Sequence, residues 1–410
     1  MKRMKSFLLL IALFAAINTQ AQEGAIEAIL NKIEANNPQL KANSEAINAQ
    51  KLQNKADNNL PDPTLTYAHL WDSDNSERTV GELVVAQSFD FPTLYISRGK
   101  MNRLRTGALD AQAQAFRQEV LLQAQELCLD IIMLHQQQAL LDVRLKNAEE
   151  LAAMYAKRLE AGDANVLETN KINLELLNVR TEARLNEATL QAKLKELSTL
   201  NGEEPLGAGR PLADGAPYGA AALGLTSYPN TPMPLDFEPL CNELLSLCPT
   251  LQSLSNEGQA MRKQLSINKQ GWIPKLQLGY RRNTESGHPL NGVVVGFSFP
   301  LFENRSKVKI AKSEVSMMEY QQDNARMQAT TKLRNLYEEA YQLNASIKEY
   351  QQVFAQQQDL ELLKKALVGG EISMIEYFVE VGIVFQSKAN LINLENQYQK
   401  TMARLYQNKL

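Results

Sequence analysis

The sequence predicts a mainly α-helical protein with a small β part, in which a set of long helices and one β-hairpin occurs twice. Three observations predict this fold class: two long stretches lack proline, apolar residues repeat at heptad spacing within them, and short motifs recur at a nearly fixed offset. Together they indicate duplicated long coiled-coil helical hairpins, each accompanied by a β-hairpin.

The composition restricts the class of protein. The chain has 410 residues, 44% hydrophobic and 22% charged, with a formal net charge of −3. These fractions exclude a disordered chain and a polytopic helical membrane protein. The absence of a basic excess argues against nucleic acid as a partner. With three Cys and three His, and with Cys241 and Cys248 expected too far apart on one helix to pair, we predict no disulfide, no metal site and no cofactor.

The N-terminus has the pattern of a secretory signal peptide. Three basic residues within 2–5 precede an apolar run, Phe7 to Ala16, that is too short to span a bilayer. Small residues around Ala21 suit cleavage there. We therefore expect residues 1–21 to be removed and the protein to be exported.

Long helices are predicted where proline is absent, in 93–204 and 301–410. Apolar residues in these stretches follow the four-and-three spacing of a coiled-coil seam. The seam residues are Leu127, Ile131, Leu134, Leu141, Leu145, Ala148, Ala152, Tyr155 and Leu159, then Leu336, Ala340, Leu343, Ile347, Tyr350 and Phe354. Glycines near 162 and 370 predict the hairpin tips. The outgoing helices, Lys100–Gly162 and Lys307–Gly369, would each be about 90 Å long.

Matched motifs predict that the two halves are copies. Phe89-Asp90-Phe91-Pro92 aligns with Phe297-Ser298-Phe299-Pro300 at an offset of 208, and Gly162-Asp163 aligns with Gly370-Glu371 at the same offset. Order and spacing hold over a long segment, which indicates a tandem duplication. The predicted organisation is a first repeat at 22–203, a Pro/Gly-rich linker or equatorial segment at 204–240, and a second repeat at 241–410.

Each repeat contains a predicted β-hairpin, at 64–91 and at 275–301. In the second, Val293, Val295 and Phe297 alternate with small residues, and this period of two gives a strand one apolar face. The polar segments Asp72–Val80 and Asn283–Asn291 are expected to be loops. One interpretation is a soluble four-stranded sheet over its own core. The favoured one is a trimer whose twelve strands close an outer-membrane barrel, since an open strand edge is not tolerated in lipid.

On these features the chain resembles the TolC-like outer membrane efflux proteins along nearly its whole mature length. The motifs that carry the resemblance are Asn37-Pro38-x-Leu40, Leu60-Pro-Asp-Pro-Thr-Leu65, the paired Phe-x-Phe-Pro strand ends, and Arg158-x-x-x-Gly162-x-x-Asn165-x-Leu167-Glu168. The resemblance implies a homotrimer in the outer membrane, in contact with its lipid, with a helical tunnel in the periplasm. It also implies a periplasmic adaptor and an inner-membrane pump, taken here to be proton-driven, as partners, and no enzymatic activity.

The helical tips are the first candidate sites. In the family pattern a Gly is followed three residues later by Ser or a similar residue, which implies that adaptors contact Arg158, Gly162 and Asn165 at the first tip, and Gly370 and Ser373 at the second. Asn165 replaces the commoner Ser. The alternative interpretation is an ordinary solvated helical turn.

Acidic residues near the tips are the second candidates, because three-fold symmetry turns one carboxylate into a ring that attracts cations. Glu376 lies where the family can place an acidic constriction of the lumen, and Glu168 is its counterpart in the first repeat. A second family acid would fall at Val379, which departs from the pattern, although Glu380 is adjacent. The alternative is that these carboxylates belong to a solvated helix face.

The leading functional hypothesis is that the protein is the exit duct of a tripartite efflux pump and passively conducts small molecules or metal ions. A second hypothesis keeps the fold but makes it the exit duct of an ABC-driven protein secretion system. A third is a periplasmic adaptor or structural coiled-coil protein, which two full hairpins with duplicated strand pairs disfavour. Scattered His and Met residues give no argument for a metal cargo.

Overall fold

A computed structural model describes residues 24–71, 79–162, 165–204, 206, 219–285, 288–302, 304–356 and 360–410. The predicted signal peptide, most of the predicted loop Asp72–Val80 and part of the predicted linker 204–240 lie outside these residues.

The prediction of a mainly helical chain with a small β part is confirmed. The elements in chain order are α1 (helical at 24–36), α2 (Pro38–Ala56), β1 (Thr64–Trp71), β2 (Thr79–Phe89), α3 (Pro92–Glu160), α4 (Val166–Leu200), α5 (Phe237–Leu247), α6 (Pro249–Gln270), β3 (Lys275–Glu285), β4 (His288–Ser298), α7 (Lys307–Gln356), α8 (Leu360–Gly369) and α9 (Met374–Leu405). Short 3-10 turns occupy Ala220–Leu223 and Gln407–Lys409. No helix in this described part of the chain is both long and apolar enough to cross a bilayer.

Three boundaries differ from the sequence prediction. Helix α3 begins at Pro92 rather than Lys100, since proline suits a first helical turn, where its missing N–H costs nothing. The second outgoing helix is described as two segments, α7 and α8, on either side of residues 357–359. Cys248 does not share a helix with Cys241: it caps the start of α6 in extended conformation, ahead of Pro249.

The chain divides into two compact units that do not coincide with the predicted repeats. The first unit comprises Met1–Lys41, Phe116–Ser246 and Thr330–Leu410, and the second comprises Ala42–Ala115 and Leu247–Ala329. Each unit therefore takes segments from both repeats.

The first unit is helical and buries the predicted seams. Leu127, Ile131 and Leu134 of α3 pack with α1 and α4 in one apolar cluster. Leu336, Ala340 and Ile347 of α7 pack with α5 and α9 in another. A seam of period 3.5 keeps one face of each helix toward its neighbour, so the heptad prediction gives the correct inward faces.

The second unit contains a four-stranded antiparallel sheet in the order β1-β2-β3-β4. The two predicted hairpins are joined by pairing of β2 with β3. Leu94 and Met101 of α3 pack on Ala260 and Ile267 of α6 in the apolar cluster of this unit. Helices α2, α3, α6 and α7 all connect to the strands at the end of the sheet where Phe89 lies opposite Leu276.

The predicted loop Asn283–Asn291 is wrong over most of its length. Strand β3 continues to Glu285 and β4 begins at His288. Asn283 pairs with Glu82 on one side and with Leu290 on the other. Backbone pairing with both neighbours thus overrides the low strand propensity of these polar residues.

Candidate functional sites: the helical tips and the exposed sheet face

Both helical tips in the first unit turn on a glycine in left-handed conformation. The φ angle is +79° at Gly162 and +77° at Gly370. A Cβ at either position would meet nothing within 4 Å, so the glycines are required by backbone conformation and not by crowding. At the second tip, the amide of Glu371 donates to the Ala366 carbonyl at 2.9 Å, which closes the end of α8 with the bond expected of a glycine C-cap.

Each return helix starts with a capping box. The Asn165 side chain accepts from the Leu167 amide at 2.9 Å, while the Asn165 amide donates to the Glu168 carboxylate at 3.2 Å. At the second tip, Ser373 Oγ accepts from the Glu376 amide at 3.2 Å, and the Ser373 amide donates to the Glu376 carboxylate at 2.8 Å. The two tips therefore have the same sequence of turn glycine, cap and acid.

Two of the acidic candidates, Glu168 and Glu376, consequently have a local structural role. The hydrogen bonds to Ser373 hold the pKa of Glu376 below its usual range. Glu376 and Glu380 are both exposed on α9, and Glu168 is half-buried. Arg158 is exposed, with its guanidinium 5.2 Å from the centre of the Tyr155 ring. Glu168 lies on α4 and Glu376 and Glu380 lie on α9, and no contact among the described residues joins them.

The structure does bring the two tips onto one apolar cluster. Tyr155 of α3 and Ile172 of α4 pack with Leu367 of α8 and with Met374 and Tyr377 of α9. All five side chains are buried. The tip cluster, as we name this group together with Leu151, Val381 and Phe385, joins the first hairpin to the second.

Two polar contacts reinforce the tip cluster. The Tyr377 hydroxyl donates to Asn147 Oδ1 at 3.1 Å, and Asn147 Nδ2 lies 2.9 Å from the same hydroxyl. Lys364 of α8 forms an ion pair with Glu150 of α3. This ion pair lowers the pKa of Glu150 and raises that of Lys364.

Sequence reasoning missed the capping boxes and these contacts for different reasons. The capping pattern, Asn or Ser followed three residues later by Glu, is visible in the sequence and could have been found. The partners of Tyr377 and Lys364 lie more than 200 residues away along the chain. No local pattern identifies such a pair.

The sheet in the second unit has one apolar face. Its register places Leu65, Val85, Tyr280 and Val293 in one cross-strand row. The neighbouring rows on this apolar face are Gln87, Leu278 and Val295; Phe89, Leu276 and Phe297; and Tyr67, Leu83, Arg282 and Asn291.

This apolar face is open to the surroundings. Leu65 is 71% exposed, Val293 81% and Phe297 62%. Patches of this kind on a folded chain mark contact with a membrane or another protein. The interpretation of a soluble sheet over its own core is therefore wrong for these side chains.

The opposite face of the sheet is more polar and has smaller side chains, with a few aliphatic residues such as Val84 and Leu290. Glu82 and Arg281 form an ion pair there at 2.8 Å, with Ala86, Gly279 and Gln277 in the neighbouring rows. Strands β1 and β4 each pair on one side only, so both outer edges of the sheet carry unpaired backbone groups. The sheet is amphipathic and incomplete.

Comparison with known proteins identifies the fold. The solved structure of the CusC channel matches with a TM-score of 0.74 and 15% identity, over 94% of this chain and 92% of that one. VceC, an outer membrane protein of Vibrio cholerae, matches with a TM-score of 0.74 and 14% identity, over 95% of this chain and 97% of that one. The CmeC outer membrane channel of Campylobacter jejuni matches with a TM-score of 0.70 and 14% identity, over 94% of this chain and 85% of that one. At these identities the likeness establishes the fold alone.

The fold is thus that of outer-membrane channel proteins. Residues 240–408 also match the sequence model of the family described as outer membrane efflux protein. The resemblance to TolC-like outer membrane efflux proteins is therefore confirmed, by fold over nearly the whole chain and by family sequence over its second repeat. Comparison with curated protein sequences gives no match.

Proposed function

We propose that the protein is the outer-membrane exit duct of a tripartite efflux pump, acting as a homotrimer that passively conducts small molecules or metal ions from the periplasm to the exterior. The observation that carries this proposal is the amphipathic, incomplete sheet. Three copies supply twelve strands, and pairing of β1 in one copy with β4 in the next satisfies every open edge. The apolar face then contacts lipid and the opposite face lines the pore.

Exposed apolar stripes on the helices of the first unit also support a homotrimer. Leu167, Leu174 and Leu185 lie along one exposed side of α4, and Ile375, Val379 and Ile383 lie along an exposed side of α9. Apolar residues that recur at helical spacing on an open face are typical of helices that pack against further helices. In the proposed trimer these helices form the periplasmic tunnel and neighbouring copies cover the stripes.

The tips are proposed as the contact with a periplasmic adaptor. Each turn presents a glycine with free space around it, so that another helix can approach the backbone closely. Arg158, Gly162, Asn165, Gly370 and Ser373 surround the two turns and are exposed. Glu168, Glu376 and Glu380 are proposed to contribute acidic rings near the same end of the tunnel.

A disulfide scan tests the trimer. The three native Cys are replaced by Ala, and one new Cys is placed on β1 and one on β4 at successive positions of the opposite face. The proposal expects covalent dimers and trimers that require both new Cys. Pairs on β2 and β3 are the matched control, because these strands already pair within one chain. A chain that stays monomeric in membranes at every pair would contradict the proposal.

Photocrosslinking in cells tests the adaptor contact. A photoreactive residue at Val166 or Val368, which are exposed beside the tips, should capture a periplasmic protein with a helical hairpin. The same residue at Tyr341, exposed on α7, is the control. Capture of this protein at Tyr341 as readily as at the tips would count against the tips as the contact.

A growth panel on a strain that lacks only this gene tests the cargo. The resemblance of Asn37-Pro38-x-Leu40 to the heavy-metal and multidrug branch favours a proton-driven pump. Hypersensitivity confined to metal salts would assign metal-ion efflux, and sensitivity to drugs and detergents a multidrug duct. Proteins missing from the culture medium, with no hypersensitivity, would instead indicate ABC-driven secretion.

A further inference from the structure

We propose that the apolar face carries a binding site for the phosphorylated headgroup of an outer-leaflet lipid, centred on Arg282. This inference rests on the proposed function, because it needs the apolar face to contact lipid. Two adjacent arginines on β3 have different surroundings. Arg281 is paired with Glu82 on the opposite face, whereas Arg282 forms no ion pair with any carboxylate that the structure describes.

The register places Arg282 on the apolar face. It lies directly across from Leu83 and Asn291, in the row that follows Tyr280 and Val293. Arg282 is exposed. A guanidinium on a lipid-facing surface is costly near the bilayer midplane and is tolerated at the level of the headgroups, where anionic groups can pair with it. The exposed Arg282 side chain is therefore suited to an anionic partner at the lipid surface.

Hydroxyl groups converge beside Arg282 because Gly81 has no side chain. A Cβ at Gly81 would lie 2.7 Å from Thr284 Oγ1 and 3.1 Å from the Tyr67 hydroxyl. Thr284 follows Arg282 by two residues, so both side chains are on the apolar face, about 7 Å apart along the strand. The Thr284 hydroxyl already donates to the Gly81 carbonyl at 3.0 Å, so the donors offered to a phosphate are the Arg282 guanidinium and the Tyr67 hydroxyl.

The site lies at the correct depth for a headgroup. Below it toward the helices are the apolar rows of Tyr280, Leu278 and Leu276. Beyond it are His69 and Trp71, whose rings lie 6.2 Å apart, a pairing that suits the interface between lipid and water. Helices α2, α3, α6 and α7 join the strands at the opposite end of the sheet, near Phe89 and Leu276. With the helices in the periplasm, the end of the sheet that carries Arg282 faces the outer leaflet, where glycolipid headgroups carry phosphates.

The test is a lipid titration of the purified full-length protein in detergent, read by native mass spectrometry. Diphosphoryl lipid A, monophosphoryl lipid A and phosphatidylcholine are the three probes. We expect affinity to fall in that order. Arg282→Gln should weaken diphosphoryl lipid A binding about fivefold, the effect of one cation near an anionic surface. Arg281→Gln is the matched control, since it removes the adjacent charge from the opposite face, and it should leave lipid binding unchanged.

The outcomes separate this inference from the proposed function. Equal losses in Arg282→Gln and Arg281→Gln, or equal affinity for the three lipids in a protein that is trimeric, would overturn the lipid site and leave the duct intact. A protein that is monomeric and does not enter membranes would overturn both. Tyr67→Phe, which keeps every charge, should cause a smaller loss than Arg282→Gln, and a larger loss would also overturn the central role of Arg282.

Discussion

Glu376 and Ser373 satisfy each other's backbone amides at the start of α9: the Ser373 amide donates to the Glu376 carboxylate at 2.8 Å, and the Glu376 amide donates to Ser373 Oγ at 3.2 Å. The acid proposed for a lumen ring is therefore also a helix cap. These two roles make different demands, because a cap needs a hydrogen-bond acceptor and a cation-selective ring needs a charge.

Substitutions at Glu376 should separate the cap from the charge. Glu376→Gln keeps an acceptor and should preserve protection of the first α9 amides from hydrogen exchange at pH 7, whereas Glu376→Ala should reduce it. In planar bilayers both variants should lower cation selectivity by a similar factor if the charge lines the pore. Unchanged selectivity in both would remove Glu376 from the proposed ring.

The same cap should weaken in acid. Because the folded-state pKa of Glu376 is lowered, its contribution to stability is fully present above the unfolded pKa of about 4.3 and is lost as the pH falls through the folded pKa. Exchange of the first α9 amides, followed below pH 5 and corrected for intrinsic rates, should accelerate in the parent protein. No such pH dependence should appear in Glu376→Gln.

Removing a cap side chain should open the tips locally. Asn165→Ala and Ser373→Ala should each cost about 1 kcal/mol, seen as faster hydrogen exchange at the start of α4 or α9. Ser313→Ala is the control, because Ser313 is exposed within α7 and caps nothing. If Ser313→Ala and Ser373→Ala have the same effect on exchange near their own sites, the capping role is wrong.

Tyr377→Phe should loosen the contact between the two hairpins. Tyr377 is 1% exposed, and its hydroxyl bonds Asn147 across from α9 to α3. Loss of the hydroxyl leaves the Asn147 amide without this partner, at a cost of about 1–2 kcal/mol. Tyr341→Phe, at an exposed tyrosine, should leave stability unchanged in the same denaturation experiment. Equal midpoints for both variants would show that the bond contributes nothing.

Glu34→Gln should remove part of the acid sensitivity of the first unit. Arg117 donates two hydrogen bonds of 2.6 Å to the Glu34 carboxylate and thereby lowers its pKa. The ion pair is about one-third exposed, so its contribution at pH 7 is modest, about 0.5–1 kcal/mol. It should vanish as the pH falls through the folded pKa. The difference in stability between parent and variant should therefore shrink from pH 7 to pH 3, and a constant difference would contradict this.

Glu395→Gln should raise the stability of the protein at pH 7, whereas Glu34→Gln should lower it. Burial raises the pKa of Glu395, and the Gln351 side chain, at 3.4 Å, compensates only partly. The folded state thus disfavours the charged form, so the variant should be more stable than the parent at pH 7. The gain should disappear below about pH 4, where the parent carboxyl is protonated in both states. A loss of stability at pH 7 would show that the carboxylate is needed.

The sequence by itself determined the helices, the tips and the inward faces. Proline-free stretches, left-handed turns at Gly162 and Gly370, and heptad seams such as Leu127 to Tyr155 act through local backbone preferences and side-chain period, which a linear pattern contains. The alternation of the strands also gave their apolar face correctly.

The tertiary structure alone decided how these parts combine. The pairing of β2 with β3, the extension of β3 through Asn283 to Glu285, and the bond between Asn147 and Tyr377 all join residues far apart along the chain. It also separated Arg281, with its partner Glu82, from Arg282, which forms no ion pair with a carboxylate in the described residues. Such contacts depend on register and packing between distant segments, and their free energy is gained only once the whole chain is folded.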